Sequence, residues 1–387
     1  MRRQFARATL VALLVYGCSG GKETIKLGAV YNLTGAQAGL DRPSLNGAQL
    51  AVEQANAAGG VFRRRIELVS ADGQTDPTVI ESITQQLLAT GVSALFGISD
   101  TNMLLAAAPI AAESKTIFLT SGATSPLLPE QVPVYLFLAC FGDNTQAAAG
   151  AEYAVARLRA RSAYVLFDDT TDYTVLLSRY FGERFEALSG DVLLTESYSG
   201  HQGALDISAQ LSHLTALATP PDMLYIAAGP DEVGMLVEQV RHAGIDLPIF
   251  GGDAYDTPVL IETAGEAGDD IYYTTHVLLD PESQDGQVRD FVSAYQARFG
   301  VAPENAFAAL GYDTVQLLIE AIRKAGGTDR AAILEALQST RNFDAVTGTI
   351  TFEAGSRIPR KSVSVVHLVG GTPELAAEIT PDHVPPP

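Results

Sequence analysis

ALFGISDTNMLLAAAPIAAESKTIFLTSGATSP, residues 94–126, is the stretch from which the fold is read. Residues 94–98 make a short apolar strand, and Ser99, Asp100, Thr101 and Asn102 a polar loop of helix-capping residue types. An apolar helical run follows over 103–112. A second strand covers 116–120, and a second small, hydroxyl-bearing loop holds Ser121, Gly122, Ala123 and Thr124. Strand, tight loop, helix, strand, tight loop is the order of a parallel α/β sheet, where loops at the carboxyl ends of strands take small ligands. Two such loops side by side bring backbone N–H groups, hydroxyls and the positive end of a helix to one point. That suits an anionic group such as a carboxylate. On spacing alone a second reading stands beside it, in which both loops only cap helices.

The alternation extends in both directions. Upstream, 25–30 is strand-like, and 44–58 carries Leu45, Ala48, Val52 and Ala55 at helical spacing before Gly59-Gly60. Residues 65–69 are strand-like, and Pro77 opens a helix that stops at Gly91. Downstream, 126–143 is irregular and Pro-containing. Helices are then predicted over 147–159, 175–188, 205–217 and 231–243, with strands over 163–167, 192–198, 223–227, 248–251 and 271–277. Three helices without intervening strands follow over 287–299, 305–325 and 330–338. Residues 348–352 and 361–369 alternate apolar and polar, as an antiparallel hairpin does.

Repeated β-α units with a break near 126–143 predict an α/β protein of two doubly wound lobes, each with a parallel central sheet, joined by a hinge that the chain crosses several times. The first lobe is expected to hold residues 24–141 plus 273–346 and the second 142–272 plus 347–372. The tail 373–387, Pro-rich from Pro381, is expected to be disordered. With 387 residues, 47% hydrophobic and 18% charged, the chain has enough apolar material for two cores. Lys and Arg number 25 against 45 Asp and Glu, a net charge of -20, which argues against nucleic acid as a partner.

The N-terminus has a basic start, residues 1–7, and an apolar run over 8–15 too short to span a bilayer. It leads into Val15-Tyr16-Gly17-Cys18, which resembles a bacterial lipobox. The resemblance implies a signal peptide over 1–17, lipid on Cys18, a linker over 18–23 and a membrane-anchored, extracytoplasmic protein. The other reading is ordinary signal-peptide cleavage. Cys140 is the second of two cysteines, and neither has metal-ligand spacing. With Cys18 lipidated, no disulfide is expected.

Taken together, the segments from 25 to 369 resemble the extracytoplasmic solute-binding proteins of ABC transporters, in the branch that binds leucine, isoleucine and valine, with a type I periplasmic-binding fold. The likeness is carried in order by IKLGAVYNLTGAQAG, NGAQLAVEQANAAGGV, ADGQTDPTVI, ALFGISDTNMLLAAAPIA, FLTSGATSPLL, FDDTTDYT, DMLYIAAGPDEVGMLVEQVRHAG and IFGGDAYD. It implies that Thr101, Gly122 and Thr124 hold a ligand α-carboxylate, that Asp253 holds the α-ammonium, and that Tyr173 closes over the ligand from the second lobe. It also implies membrane permease subunits as partners, and no cofactor or metal. The sequence departs from the family at three places in the cleft. Leu40 stands where an aromatic is frequent, Gly229 lies in a loop where leucine binders often place a tyrosine, and Asp100 replaces a small residue. An amino acid, an amide or an aromatic acid all remain open as ligand, and so does a sensor of the same fold.

An enzyme is the rival class. The six histidines, 201, 213, 242, 276, 367 and 383, have no Ser/His/Asp context, and there is no Gly-x-Ser-x-Gly elbow, dinucleotide fingerprint or phosphate-binding loop. His276, near the expected hinge, reads as a structural histidine. The expectation is a binder that makes and breaks no bond.

Overall fold

The computed structural model describes residues 24–200, 205–264 and 269–387. Strands β1 (Ile25–Tyr31), β2 (Ile66–Asp72), β3 (Ala94–Gly97), β4 (Phe118–Thr120) and β5 (Leu136–Leu138) form a parallel sheet in the order β2-β1-β3-β4-β5. Helices α1 (Ala38–Ala57), α2 (Pro77–Ala89), α3 (Thr101–Glu113) and the short α4 (Leu128–Gln131) connect them. β1, β3, β4 and β5 are apolar along nearly their whole length because helices cover both faces of the sheet.

The second sheet runs β12-β11-β10-β9-β8-β6-β7. It holds β6 (Ser162–Asp168), β7 (Asp191–Tyr198), β8 (Met223–Ala227), β9 (Ile249–Gly251), β10 (Ile271–Thr275), β11 (Val363–Val369) and β12 (Thr372–Ile379). From β7 to β10 it is parallel; β11 and β12 close it as antiparallel strands. Helices α5 (Asp143–Tyr153), α6 (Asp172–Ala187), α7 (Ser208–Thr215), α8 (Val233–His242) and α9 (Pro258–Ala264) belong to it in sequence. Helices α10 (Gly286–Phe299), α11 (Ala306–Ala325) and α12 (Arg330–Gln338) return to the first sheet, where Leu318, Ile322 and Leu337 share a core with Ile25, Leu27 and Phe96. No helix among the described residues is long and apolar enough to cross a membrane.

The chain thus passes between the sheets three times: after β5, after β10 and before β11. The crossings touch one another. The rings of Phe141 and His276 stack with centroids 3.8 Å apart, and the ammonium of Lys361 donates to the Ala139 carbonyl at 3.3 Å.

Three expectations are corrected. Residues 348–352 do not pair with 361–369: Ile350 bridges Phe343 instead, and Ile350 and Phe352 lie in the first sheet's core although 347–352 were assigned to the second lobe. The apolar-polar alternation there is real but marks a single bridge, not a strand. The tail is ordered where disorder was expected. Residues 372–379 form β12, and Pro385 accepts a hydrogen bond from Asn144 Nδ2 at 2.8 Å; Leu375, Ala377 and Ile379 alternate as an edge strand does. Helix α1 starts six residues earlier than its spacing suggests, with Pro43 inside. Pro43 lacks the N–H that the Gly39 carbonyl needs, and Asn305 Nδ2 supplies a donor to that carbonyl at 3.0 Å.

Helices α1 and α11 meet backbone to backbone. A Cβ on Gly47 would lie 1.8 Å from the Ala308 carbonyl oxygen, and one on Gly311 1.9 Å from that of Ser44. Either glycine replaced by alanine is expected to lose about 1–3 kcal/mol of stability through overpacking, measured by urea unfolding. An unchanged midpoint would mean that the helices stand further apart than these distances.

Candidate functional site

The site lies where the carboxyl ends of the two sheets face each other. On the first sheet, β3 ends in a forced turn. Gly97 has φ +117°, and a Cβ there would sit 2.1 Å from the Val30 carbonyl oxygen, so only glycine fits. Ile98 follows at φ +50°, a conformation that costs a β-branched residue about 1–3 kcal/mol. Thr120, the last residue of β4, holds it there. Its hydroxyl donates to the Ile98 carbonyl at 2.7 Å and accepts the Ala123 N–H at 3.0 Å. One side chain therefore ties the two loops of residues 99–102 and 121–124 together.

Asp100 caps α3. Its carboxylate accepts the Met103 N–H at 2.8 Å and the Gln37 side-chain amide at 3.4 Å. This engagement reconciles an acid in this loop with a ligand carboxylate beside it: the charge is directed to a helix N-terminus. Thr101 is buried, and its hydroxyl has no hydrogen-bond partner among the described residues. The Ser99 hydroxyl lies toward the buried carboxyl of Asp41, which burial pushes up to about 7 against the opposing Asn32 N–H bond of 2.6 Å. Gly122 is hemmed in by Phe307, from α11, and by Ser99; a Cβ would come within 2.7 Å of the Phe307 ring. The Thr124 hydroxyl lies toward Asp143.

On the second sheet, Asp253 follows β9 in a single turn of 3-10 helix and is 2% exposed. Its Oδ1 accepts the Tyr173 hydroxyl at 2.9 Å and the Gln146 amide at 2.9 Å, and its Oδ2 accepts the His276 Nε2–H at 3.2 Å. Burial, with the charge of Asp253, holds the Tyr173 phenol far above its ordinary range, so it remains a donor. Burial likewise lowers His276, against the pull of Asp253, which leaves a neutral imidazole whose donor is assigned by its partner. Gly252 makes room for this packing: a Cβ there would lie 2.4 Å from the Tyr173 oxygen.

Thr101, Gly122, Thr124, Tyr173 and Asp253 all line one cleft of about 350 Å³. Leu40, Asp100 and Gly229, the three departures, line it too, with Met103 and Phe307 adding apolar surface. The halves touch at its mouth, where the Asp172 N–H donates to Asn102 Oδ1 at 3.2 Å. A second link between the halves is the Ala306 N–H, at the start of α11, which donates to Asp256 Oδ2 at 3.0 Å. Sequence reasoning missed Gln146 and Ser99 and gave His276 a purely structural role. Gln146 lies inside a helix more than a hundred residues from Asp253, so no local pattern marks it. No group of three or more His, Cys, Asp or Glu among the described residues is placed to hold a metal. Cys140 is buried and unpaired, its thiol against the Ala123 carbonyl at 3.4 Å. Cys18 and the segment 1–23 lie outside the described residues.

A family model described as periplasmic binding protein matches residues 24–372. The chain is 24% identical over 350 residues to the Leu/Ile/Val-binding protein homolog 1 of Brucella abortus, covering 90% of this chain and 91% of the relative. Among solved structures it is similar to the branched-chain amino acid transporter substrate-binding protein LivJ of Streptococcus pneumoniae in complex with isoleucine. That match has a TM-score of 0.85 and 28% identity, and covers 92% of this chain and 100% of the other. It is also similar to the leucine-binding protein LivK of Thermotoga maritima, with a TM-score of 0.84, 31% identity, and 93% and 99% covered.

Replacing Thr120 by valine leaves the Ile98 carbonyl and the Ala123 N–H buried and unpaired. The expected loss is about 1–3 kcal/mol for each group, read by urea unfolding of the ligand-free chain. A loss within 0.5 kcal/mol, the ordinary range for a neutral substitution, would show that the loops hold without this link.

Proposed function

The chain belongs to the periplasmic binding protein family, and on that premise we propose that it captures a zwitterionic amino acid between its two lobes and delivers it to a membrane permease. It is an extracytoplasmic substrate-binding component of an ABC transporter, in the leucine/isoleucine/valine branch, and performs no catalysis. The finer reading, the ligand and its contacts, is ours. Isoleucine in the Streptococcus relative supports it by analogy.

One observation carries it: the buried, unpartnered Thr101 hydroxyl and the buried Asp253 carboxylate line the same cleft from opposite sheets. Thr101 with Ser99, Gly122 and Thr124 receives the ligand carboxylate. Asp253 receives the ammonium, held in place by the Tyr173 hydroxyl beside it in the cleft. Opposite charges at the two ends fix the ligand's direction and give short, charge-assisted bonds. The apolar surfaces of Leu40, Met103 and Phe307 take part of the side chain. Each lobe alone offers half of these contacts, so the ligand favours the arrangement in which both are present and shifts the population toward closure. The permease then recognises the closed form. Lipid on Cys18 keeps the protein at the membrane surface within this proposal.

A thermal-shift screen of the amino acids, their amides and aromatic acids is expected to give its largest stabilisation with an α-amino acid. Asp253→Ala is expected to weaken that ligand by about 2–5 kcal/mol in calorimetry, the loss typical of one partner of a buried charged pair. Stabilisation by an aromatic acid alone, or unchanged affinity in the variant, would overturn the assignment.

A further inference from the structure

Behind Asp253 lies a second acid that ligand capture as described does not use. Asp143 begins α5 and is fully buried. The Gln146 amide nitrogen donates to Asp143 Oδ1 at 3.1 Å and to Asp253 Oδ1 at 2.9 Å. Its oxygen accepts the Asp253 N–H at 3.1 Å and the Thr274 hydroxyl at 2.8 Å. The Asp253 N–H can only donate, so the amide oxygen must face it and the nitrogen must face the two carboxyls. The orientation of Gln146 is fixed by its neighbours.

Among the described residues no cation is in hydrogen-bond contact with Asp143. Asp253 faces Asp143 from the turn after β9. Tyr173 and Tyr180 of α6, Tyr225 of β8 and Cys140 of the crossing segment also lie within electrostatic reach of Asp143, and none is a cation. His276 sits on the far oxygen of Asp253. The ammonium of Lys361 is spent on Ala139 and Thr347 and is pulled by Asp313. Two buried carboxyls on one amide, without a cation in contact, do not both ionise. Asp253 has three donors; Asp143 has Gln146 and the nearby Thr124 hydroxyl. The proton therefore belongs to Asp143, and burial, reinforced by the charge of Asp253, agrees by raising it to about 8.

We infer that Gln146 is a positioning residue of the ligand site: it ties Asp253 to a neutral Asp143, so that the Asp253–Gln146–Asp143 cluster carries one buried negative charge, and arrival of a ligand ammonium drives the Asp143 proton out. The inference rests on Asp253 receiving that ammonium. In the step, the Asp143 O–H bond breaks, its electron pair stays on the carboxylate, and the proton passes to water. The ligand's positive charge then balances the second negative one. The complex holds fewer protons than the free protein plus ligand, so affinity rises with pH toward 8.

The first test needs no ligand. In the unfolded chain Asp143 ionises near the ordinary aspartate value of 3.8, while in the folded chain it stays protonated to about 8. Its contribution to stability therefore falls as pH rises between those values. Urea unfolding of wild type and Asp143→Asn across that window is expected to show the variant gaining on wild type with a slope approaching one proton; parallel profiles overturn the inference. The second test titrates L-leucine calorimetrically in two buffers of different ionisation heat. Wild type is expected to release protons and bind more tightly as pH rises, Asp143→Asn to bind with a flat pH profile, and Gln146→Leu to bind at least tenfold more weakly. Proton release that survives in Asp143→Asn overturns the inference. Wild type that ignores L-leucine while the ligand-free profiles diverge removes leucine as ligand and upholds the neutral Asp143.

Discussion

The stack of Phe141 on His276 joins the hinge to the site. Phe141 belongs to the first crossing and His276 to the second, and their rings lie 3.8 Å apart. The same imidazole donates to Asp253. The acid in the cleft is thus attached directly to the segments that cross between the two sheets. Lys361, on the third crossing, donates to Ala139 beside Phe141. Three crossings that lie far apart in sequence are packed into one joint, and Asp253 rests on it. Rigid halves and a shared joint are the conditions for hinge closure with little internal rearrangement.

The two sheets use the same device to build a site from opposite sides. In each, tight loops follow the carboxyl ends of neighbouring parallel strands. The first sheet contributes hydroxyls and a helix start; the second contributes a carboxylate and a phenol. The division is complementary to the zwitterion of the proposed function, and net charge -20 does not oppose that proposal: the local field at α3 and the free Thr101 hydroxyl favour a carboxylate there. Asp256, which accepts both the Thr275 hydroxyl and the Ala306 N–H, shows the same logic outside the cleft, an acid of one half seated on a helix start of the other.

Most of the fold is legible in the sequence because alternation of strand and helix is a local property. Residues 94–126 predict β3, α3 and β4 to within a few positions, and both loops where the cleft is found. What failed was local pattern overridden by distant partners. Pro43 hides six residues of α1 because its missing bond is replaced by Asn305, far along the chain. Ile350 reads as a strand residue but makes one bridge and then serves the first core. The residues that line the cleft stand in loops with a recognisable order. Those behind it, Gln146 and His276, do not, because their role is defined only by the folded distance to Asp253.

The close fit of Gly47 against Ala308, and the place of Ile350 and Phe352 beside Ile25 and Leu27, bear on biogenesis. The first half of the molecule cannot complete its interior until nearly the whole polypeptide has been synthesised. Contacts of such long sequence separation form slowly, since loop closure precedes their reward. The interior of the first sheet's layer is therefore sealed late, by the segments that arrive last along the chain.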